Sequence, residues 1–146
     1  MPLEQTFGLI KSAAMNRNPH AIWQRIRAAG LHIEATRYVG TKDNEADLGL
    51  FEALYESHAG KPYYAGLIAS VARESIAHRI IGENAVQAFR KLIGPTDPAV
   101  ARATDPMSLR AMFGGEALPD NAVHGSANPK EAARELAIFF PTGRAA

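Results

Sequence analysis

The order of hydrophobic periodicities along the chain predicts an α+β fold, a ferredoxin-like sandwich of the split β-α-β type with a four-stranded antiparallel sheet covered by helices. Two observations carry this expectation. Short runs with the length or alternation of strands are interleaved with segments whose apolar residues recur every three to four positions, in the order strand, helix, strand, helices, strand, helix, strand, helix. In addition, 146 residues at 47% hydrophobic and 21% charged suit one domain with one sizeable core. No internal repeat or second domain is visible, so residues 1–146 are expected to form a single domain with 141–146 as a tail.

Thr6 to Ile10 is apolar, of strand length, and ends at Lys11. Asn18-Pro19 has the form of an N-cap followed by proline in the first turn, and Ile22, Trp23, Ile26 and Ala29 then follow helical spacing until Gly30. Leu31, Ile33, Ala35 and Val39 alternate with polar residues, as in a strand with one buried face. Asp47 is a candidate N-cap for a helix carrying Leu48, Phe51, Leu54 and Tyr55, and a second helical piece is expected near Pro62 with Tyr63, Leu67 and Val71. Between them, His58 to Lys61 reads as a turn. Ser75 to Ile81 predicts a strand with one polar face, and Glu83 to Ile93 a helix ended by Gly94-Pro95. From Pro95 to Asn121 prolines and glycines break every period, which predicts a long functional loop. Ala122-Val123 gives a short last strand, and Asn128-Pro129-Lys130-Glu131 has the form of a capping box opening a helix to Phe140.

Composition narrows the function. With 16 basic against 15 acidic residues there is no long-range field to attract nucleic acid or a membrane, so any anion site must be local. The absence of cysteine removes disulfides, thiolate metal sites and cysteine nucleophiles. Met1 to Gln5 lacks the features of a secretory signal and no apolar run approaches the ~20 residues a bilayer requires, so a cytoplasmic protein is expected.

The chemistry concentrates in Asn121-Ala122-Val123-His124-Gly125-Ser126-Ala127. Small residues after His124 suggest an imidazole at a strand end with little side-chain bulk around it. Near pH 7 a mostly neutral imidazole can attack phosphorus without a separate base, provided that the proton on its other nitrogen is held. Glu135, four residues after Glu131 on the following helix, is the candidate holder. Phosphoryl transfer further needs positive charge around the phosphate oxygens, for which Lys11, Arg90 and Arg110 are the candidate sources. Thr96 offers a hydroxyl, and Asn121 an amide, to phosphate or ribose. His20, His32, His58 and His78 are assigned to surface or sheet roles. No Walker loop and no GxGxxG is present, and no His/Asp/Glu spacing implies a tightly held metal.

The Asn121 to Ser126 run resembles the Asn-x-x-His-Gly-Ser signature of the nucleoside diphosphate kinase family. The resemblance extends to Thr6 through Lys11, to Tyr55 with Lys61-Pro62-Tyr63-Tyr64, and to Gly82 through Val86. It continues through Arg90, Gly94 to Pro98, Arg110 and Glu131 to Glu135, spanning Gln5 to Phe140. It implies ping-pong exchange of a γ-phosphate between nucleoside triphosphates and diphosphates through a phosphohistidine at His124, with Glu135 bonded to the ring. By the same resemblance Lys11 and Asn121 contact the ribose hydroxyls, Lys11 also nears the γ-phosphate, and Tyr55 lies beside the reacting phosphate. Arg90, Thr96 and Arg110 hold the β- and γ-phosphates. The base is pinched between Tyr63 and a residue near Leu118, with Leu67 at its edge. Mg2+ arrives on the nucleotide phosphates, and a homo-oligomer, tetramer or hexamer, is implied.

The chain departs from the family pattern at Ser12-Ala13, where Pro-Asp is usual, and at Ala127, where Asp is usual. The first departure predicts a less constrained turn after Lys11, and the second removes a carboxylate from the magnesium water shell. These departures define a second reading, a nucleotide-binding regulatory or scaffold protein of the same fold with weak or lost kinase activity. Single-stranded nucleic-acid binding is disfavoured by the balanced charge and by the lack of an aromatic strand platform.

Overall fold

The computed structural model describes residues 3–116 and 118–141, so most of the expected C-terminal tail lies outside the described residues. Four strands, β1 (Leu3–Ile10), β2 (His32–Val39), β3 (Ser75–Glu83) and β4 (Val123–Gly125), form one sheet in the order β2-β3-β1-β4. Every pairing is antiparallel. This is the ferredoxin-like arrangement that the sequence predicts. Its helices are α1 (Ser12–Arg17), α2 (Pro19–Ala28), α3 (Leu48–Leu54), α4 (Tyr64–Ala69), α5 (Ala85–Ile93), α6 (Pro98–Thr104), α7 (Leu109–Phe113) and α8 (Pro129–Phe139).

Strand alternation splits the apolar residues between two faces. Ile10, Ile76, Ile80 and Val123 pack with Ile22 and Ile26 of α2 and Phe89 and Ile93 of α5. On the opposite face Phe7, Leu9 and Ala77 pack with Phe51 and Leu54 of α3 and Leu136 and Phe139 of α8. Gly8 and Gly125 are cross-strand partners, and a Cβ on either would approach the Phe89 ring to 2.8 Å and 3.0 Å. The paired glycines therefore let α5 lie directly on the β1–β4 ladder beneath the site.

Local chemistry explains most boundaries. Asn18 accepts from the Ala21 amide at 3.1 Å and Asn128 from the Glu131 amide at 2.9 Å, so both expected caps form. Glu131 does not complete a capping box; its carboxylate pairs with Arg134, whose guanidinium reaches the Ala53 and Leu54 carbonyls at 2.9 and 3.0 Å.

Several expectations are corrected. Asp47 makes no cap bond to α3 and instead accepts from the Gly40 amide at 2.9 Å, closing the preceding loop. The stretch after Pro95 is not one long loop, because Asp97 and Ser108 cap two short helices, α6 and α7. Each is only 7 or 5 residues long, too short for its period to rise above the surrounding prolines and glycines. The helix expected near Pro62 begins at Tyr64 and ends before the buried Val71. β3 runs on to Glu83, so α5 begins only at Ala85, after Asn84 in the left-handed region, φ 50°. The turn after Lys11 is firmly held: Ser12 opens α1, its amide donates to the Ser70 carbonyl and its hydroxyl donates to the Glu74 carbonyl. Among the described residues no helix is long and apolar enough to cross a membrane.

β3 does not have the one polar face expected: His78 and Arg79 point to opposite faces, His78 buried between Ile76 and Ile80 along the strand and Arg79 partly exposed beside Glu34. His78, 1% exposed, accepts from the Trp23 indole at Nε2 (2.9 Å) and meets Thr36 Oγ1 at Nδ1 (3.0 Å). Since an indole N–H can only donate, the ring is neutral with its proton on Nδ1. Burial, aided by Arg27, pushes its pKa from 6.5 down to about 4. The unfolded chain therefore binds more protons than the folded one between these values, and stability falls as pH drops from 6.5 toward 4. His78→Gln should flatten that loss, which is on the order of 3 kcal/mol, in urea unfolding followed from pH 7 to pH 4.

Candidate active site

The backbone entering β4 is folded tightly. Ala122 has φ 71°, and the Val123 amide donates to the Asn121 carbonyl at 2.8 Å, an i to i+2 closure rarely adopted by a residue with a Cβ. Such a conformation costs about 1–3 kcal/mol and is held by its surroundings, here by the Lys11 amide donating to the Ala122 carbonyl at 2.9 Å. The turn sets Asn121 and His124 on the same cavity.

His124 pairs with Leu9 in the sheet and carries its ring among aromatic neighbours. Phe7 is 5.9 Å away between centroids and Tyr55 stands edge-on at 5.7 Å, an interplanar angle of 87°. The expected freedom from side-chain bulk is therefore corrected: Gly125 makes room for Phe89 and Ile93 on the other face, and the imidazole itself is held by two rings.

His124 Nε2 lies 2.8 Å from Glu135 Oε1, which also accepts from Ser126 Oγ at 2.7 Å. Burial alone would raise the Glu135 carboxyl, but hydrogen bonds from His124 and Ser126 and the charge of Arg134 hold it below its ordinary value. An ionised carboxylate only accepts, so Nε2 carries a proton, and in the neutral ring the lone pair is on Nδ1.

A cavity of about 580 Å³ brings together residues from the whole chain. It is lined by Lys11, Tyr55, Tyr63, Leu67, Arg90, Thr96, Arg110, Leu118, Asn121 and His124, all of them singled out from sequence, while Glu135 stands behind His124. His58 also lines it and was missed. Its place between Tyr55 and the Lys61-Pro62 turn was the available signal, but nothing in sequence distinguishes a turn histidine that faces inward.

The cations are substantially buried. Lys11 is 3% exposed and donates from Nζ to the Pro119 carbonyl at 3.1 Å; burial, aided by Arg110, lowers its pKa to about 7. Arg110, 9% exposed, donates from Nε and one terminal nitrogen to the Val123 carbonyl at 3.2 and 2.9 Å, and from the other to Gly94 at 3.0 Å. Burial, with Arg90 nearby, moves its pKa down to about 10. Arg90 donates to the Ala127 carbonyl at 2.5 Å. Burial raises the Tyr55 phenol, whose oxygen has no partner among the described residues.

Asn121 gives its amide N–H to the Thr96 carbonyl at 2.9 Å, leaving its buried Oδ1 without a partner. The free oxygen is an acceptor, suited to a hydroxyl. Among the described residues no three His, Cys, Asp or Glu side chains gather as metal ligands, and no carboxylate lines the cavity.

A family model described as nucleoside diphosphate kinase matches residues 4–144. The chain is similar to the thioredoxin domain-containing protein 3 homolog of Heliocidaris crassispina, 39% identical over 141 residues, 96% of this chain. It spans 16% of the length of that relative. Among solved structures it is similar to the Aquifex aeolicus nucleoside diphosphate kinase, with TM-score 0.84 and 29% identity over 95% of this chain and 96% of that one. It is also similar to the Halobacterium salinarum nucleoside diphosphate kinase in complex with CDP, with TM-score 0.81 and 28% identity over 94% and 87% of the two chains.

Arg110 joins both sides of the site to α7, so it is a structural tie as well as a cavity cation. Arg110→Met leaves the buried Val123 carbonyl without its donors and should destabilise the fold by about 1–3 kcal/mol, measured by urea unfolding.

Proposed function

The chain belongs to the nucleoside diphosphate kinase family, and we propose that it exchanges the γ-phosphate between nucleoside triphosphates and diphosphates through a phosphohistidine at His124. The observation that carries this reading is the 2.8 Å contact from His124 Nε2 to a Glu135 carboxylate, which leaves Nδ1 with a lone pair beside a cavity containing Lys11, Arg90 and Arg110.

In the first half-reaction Nδ1 attacks the γ-phosphorus, an N–P bond forms, and the bond to the β,γ-bridging oxygen breaks. The electron pair leaves with the nucleoside diphosphate. The Nε2 proton stays toward Glu135, whose negative charge stabilises the cationic character that the ring gains. A second diphosphate then takes the phosphoryl group by the reverse path, and the chain ends unchanged. Lys11, Arg90 and Arg110 offset charge on the transferring oxygens, and Thr96 adds a hydroxyl donor. The free Asn121 Oδ1 accepts from a ribose hydroxyl. Tyr63 and Leu118, 49% and 52% exposed, flank the mouth where the base enters, with Leu67 beside them. Magnesium would arrive as part of the substrate, carried on the nucleotide phosphates.

A binding protein of the same fold is supported by a specific observation. Arg90 and Arg110 are already engaged by the Ala127, Val123 and Gly94 carbonyls, and bonds that hold a clamp in place also limit how far it can move to meet a transition state. Assembly into a tetramer or hexamer is proposed from the family, with the outer edge of β2, unpaired among the described residues, as available surface; sedimentation measures it.

Incubation with γ-labelled ATP and magnesium should label the chain with an acid-labile, alkali-stable phosphate. His124→Ala should remove the label while ADP still binds. Failure of the unaltered chain to label would leave the binding reading in its place. Because the Lys11 ammonium is depressed to about 7, phosphate binding should raise its pKa and take up a proton near pH 8, fading below pH 6. Calorimetry of ADP binding in buffers of different ionisation enthalpy measures this uptake, which Lys11→Met should abolish.

A further inference from the structure

The 3-10 turn Glu56–His58 follows α3, and the His58 ring lines the same cavity. His58 Nδ1 lies 2.7 Å from the Tyr63 hydroxyl. Its ring also stands near edge-on to two tyrosines, Tyr55 at 6.0 Å and 72° and Tyr63 at 5.5 Å and 66°. With the 5.7 Å contact between Tyr55 and His124, these rings form a continuous series from the nucleophile to the cavity mouth. Its inner member, Tyr55, is 4% exposed and locked by α3 and β1 packing. Its outer member, Tyr63, is about half exposed and precedes α4 at a turn, where an unsupported ring would sample several rotamers.

We propose that His58 is a positioning residue that ties the Tyr63 ring to the buried Tyr55 and so presents it as a preformed wall for the nucleobase. This rests on the nucleotide reading given above and extends it to a residue outside the reacting set. The hydrogen bond depends on a hydroxyl at position 63, where the family resemblance carries phenylalanine, so it is a feature of this chain. Holding the ring in place before the ligand arrives removes an ordering cost from binding. The effect belongs to affinity for the base, and the phosphate groups bind at the other end of the cavity.

The test compares ADP with inorganic tripolyphosphate, which has no base, by calorimetry on the full chain and its variants His58→Leu, Tyr63→Phe and the double variant. Loss of one neutral hydrogen bond corresponds to about a fivefold weakening. The expected result is an ADP Kd raised about fivefold by each single change, and hardly further by the double change. Tripolyphosphate Kd should stay level, and in phosphate exchange the loss should fall on KM and not on kcat. Thermal melting of each variant checks that the fold is kept; His58→Gln, which preserves a polar contact to the tyrosine hydroxyl, should restore part of the affinity even if the leucine variant unfolds. Additive losses, unchanged ADP affinity, or equal weakening of tripolyphosphate would each overturn the proposal. If the unaltered chain labels at His124 while these variants bind ADP normally, only the His58 inference falls; if it neither labels nor binds ADP, both fall.

Discussion

The buried bond between His124 and Glu135 is the interaction on which the arrangement of the site depends. It joins the short last strand to the last helix and holds the imidazole proton on Nε2. A carboxylate that is 3% exposed stays ionised here because Ser126 and His124 donate to it and the charge of the Arg134 guanidinium lies 3.7 Å away. Arg134 also reaches the carbonyls at the end of α3, immediately before Tyr55, so the same side chain helps to set the carboxylate and the aromatic wall of the cavity. Seating α8 on the sheet and orienting the His124 ring are thus parts of one packing event.

The backbone pays elsewhere for that geometry. Ala122 occupies a left-handed turn, and Gly8 faces Gly125 across the ladder so that Phe89 can approach both strands. One face of β4 therefore packs against α5, while the other keeps His124 beside a cavity. A three-residue strand can hold a side chain this firmly because the central β1 and a well-packed helix fix it on adjacent sides.

Electrostatics follow from the same enclosure. A chain of almost balanced charge concentrates Lys11 and Arg110 within its interior and satisfies them with main-chain carbonyls and not with carboxylates. Carbonyl dipoles position the cations without neutralising them, so the cavity remains attractive to anions. Depression of the Lys11 pKa is the cost of that burial.

Much of this was determined locally and could be read from the chain alone. The period-two alternation in β2, the helical spacing around Phe89 and Leu136, and the Asn18 and Asn128 caps depend on neighbours a few residues away, which is why the element order was legible. The motif around His124 and the dispersed cations were likewise evident as residue types. Helices α6 and α7 were hidden because their length gives too few turns for a period, and Asp47 looked like a cap because its partner, the Gly40 amide, lies seven residues back in a loop. Only the tertiary structure decided that His124 is wedged between rings, that the buried Asn121 Oδ1 is left without a partner, and that His58 faces inward. The first two rest on contacts between segments distant in sequence, and the cavity that His58 faces is lined by such segments, which meet only when the sheet and its two helical layers close together.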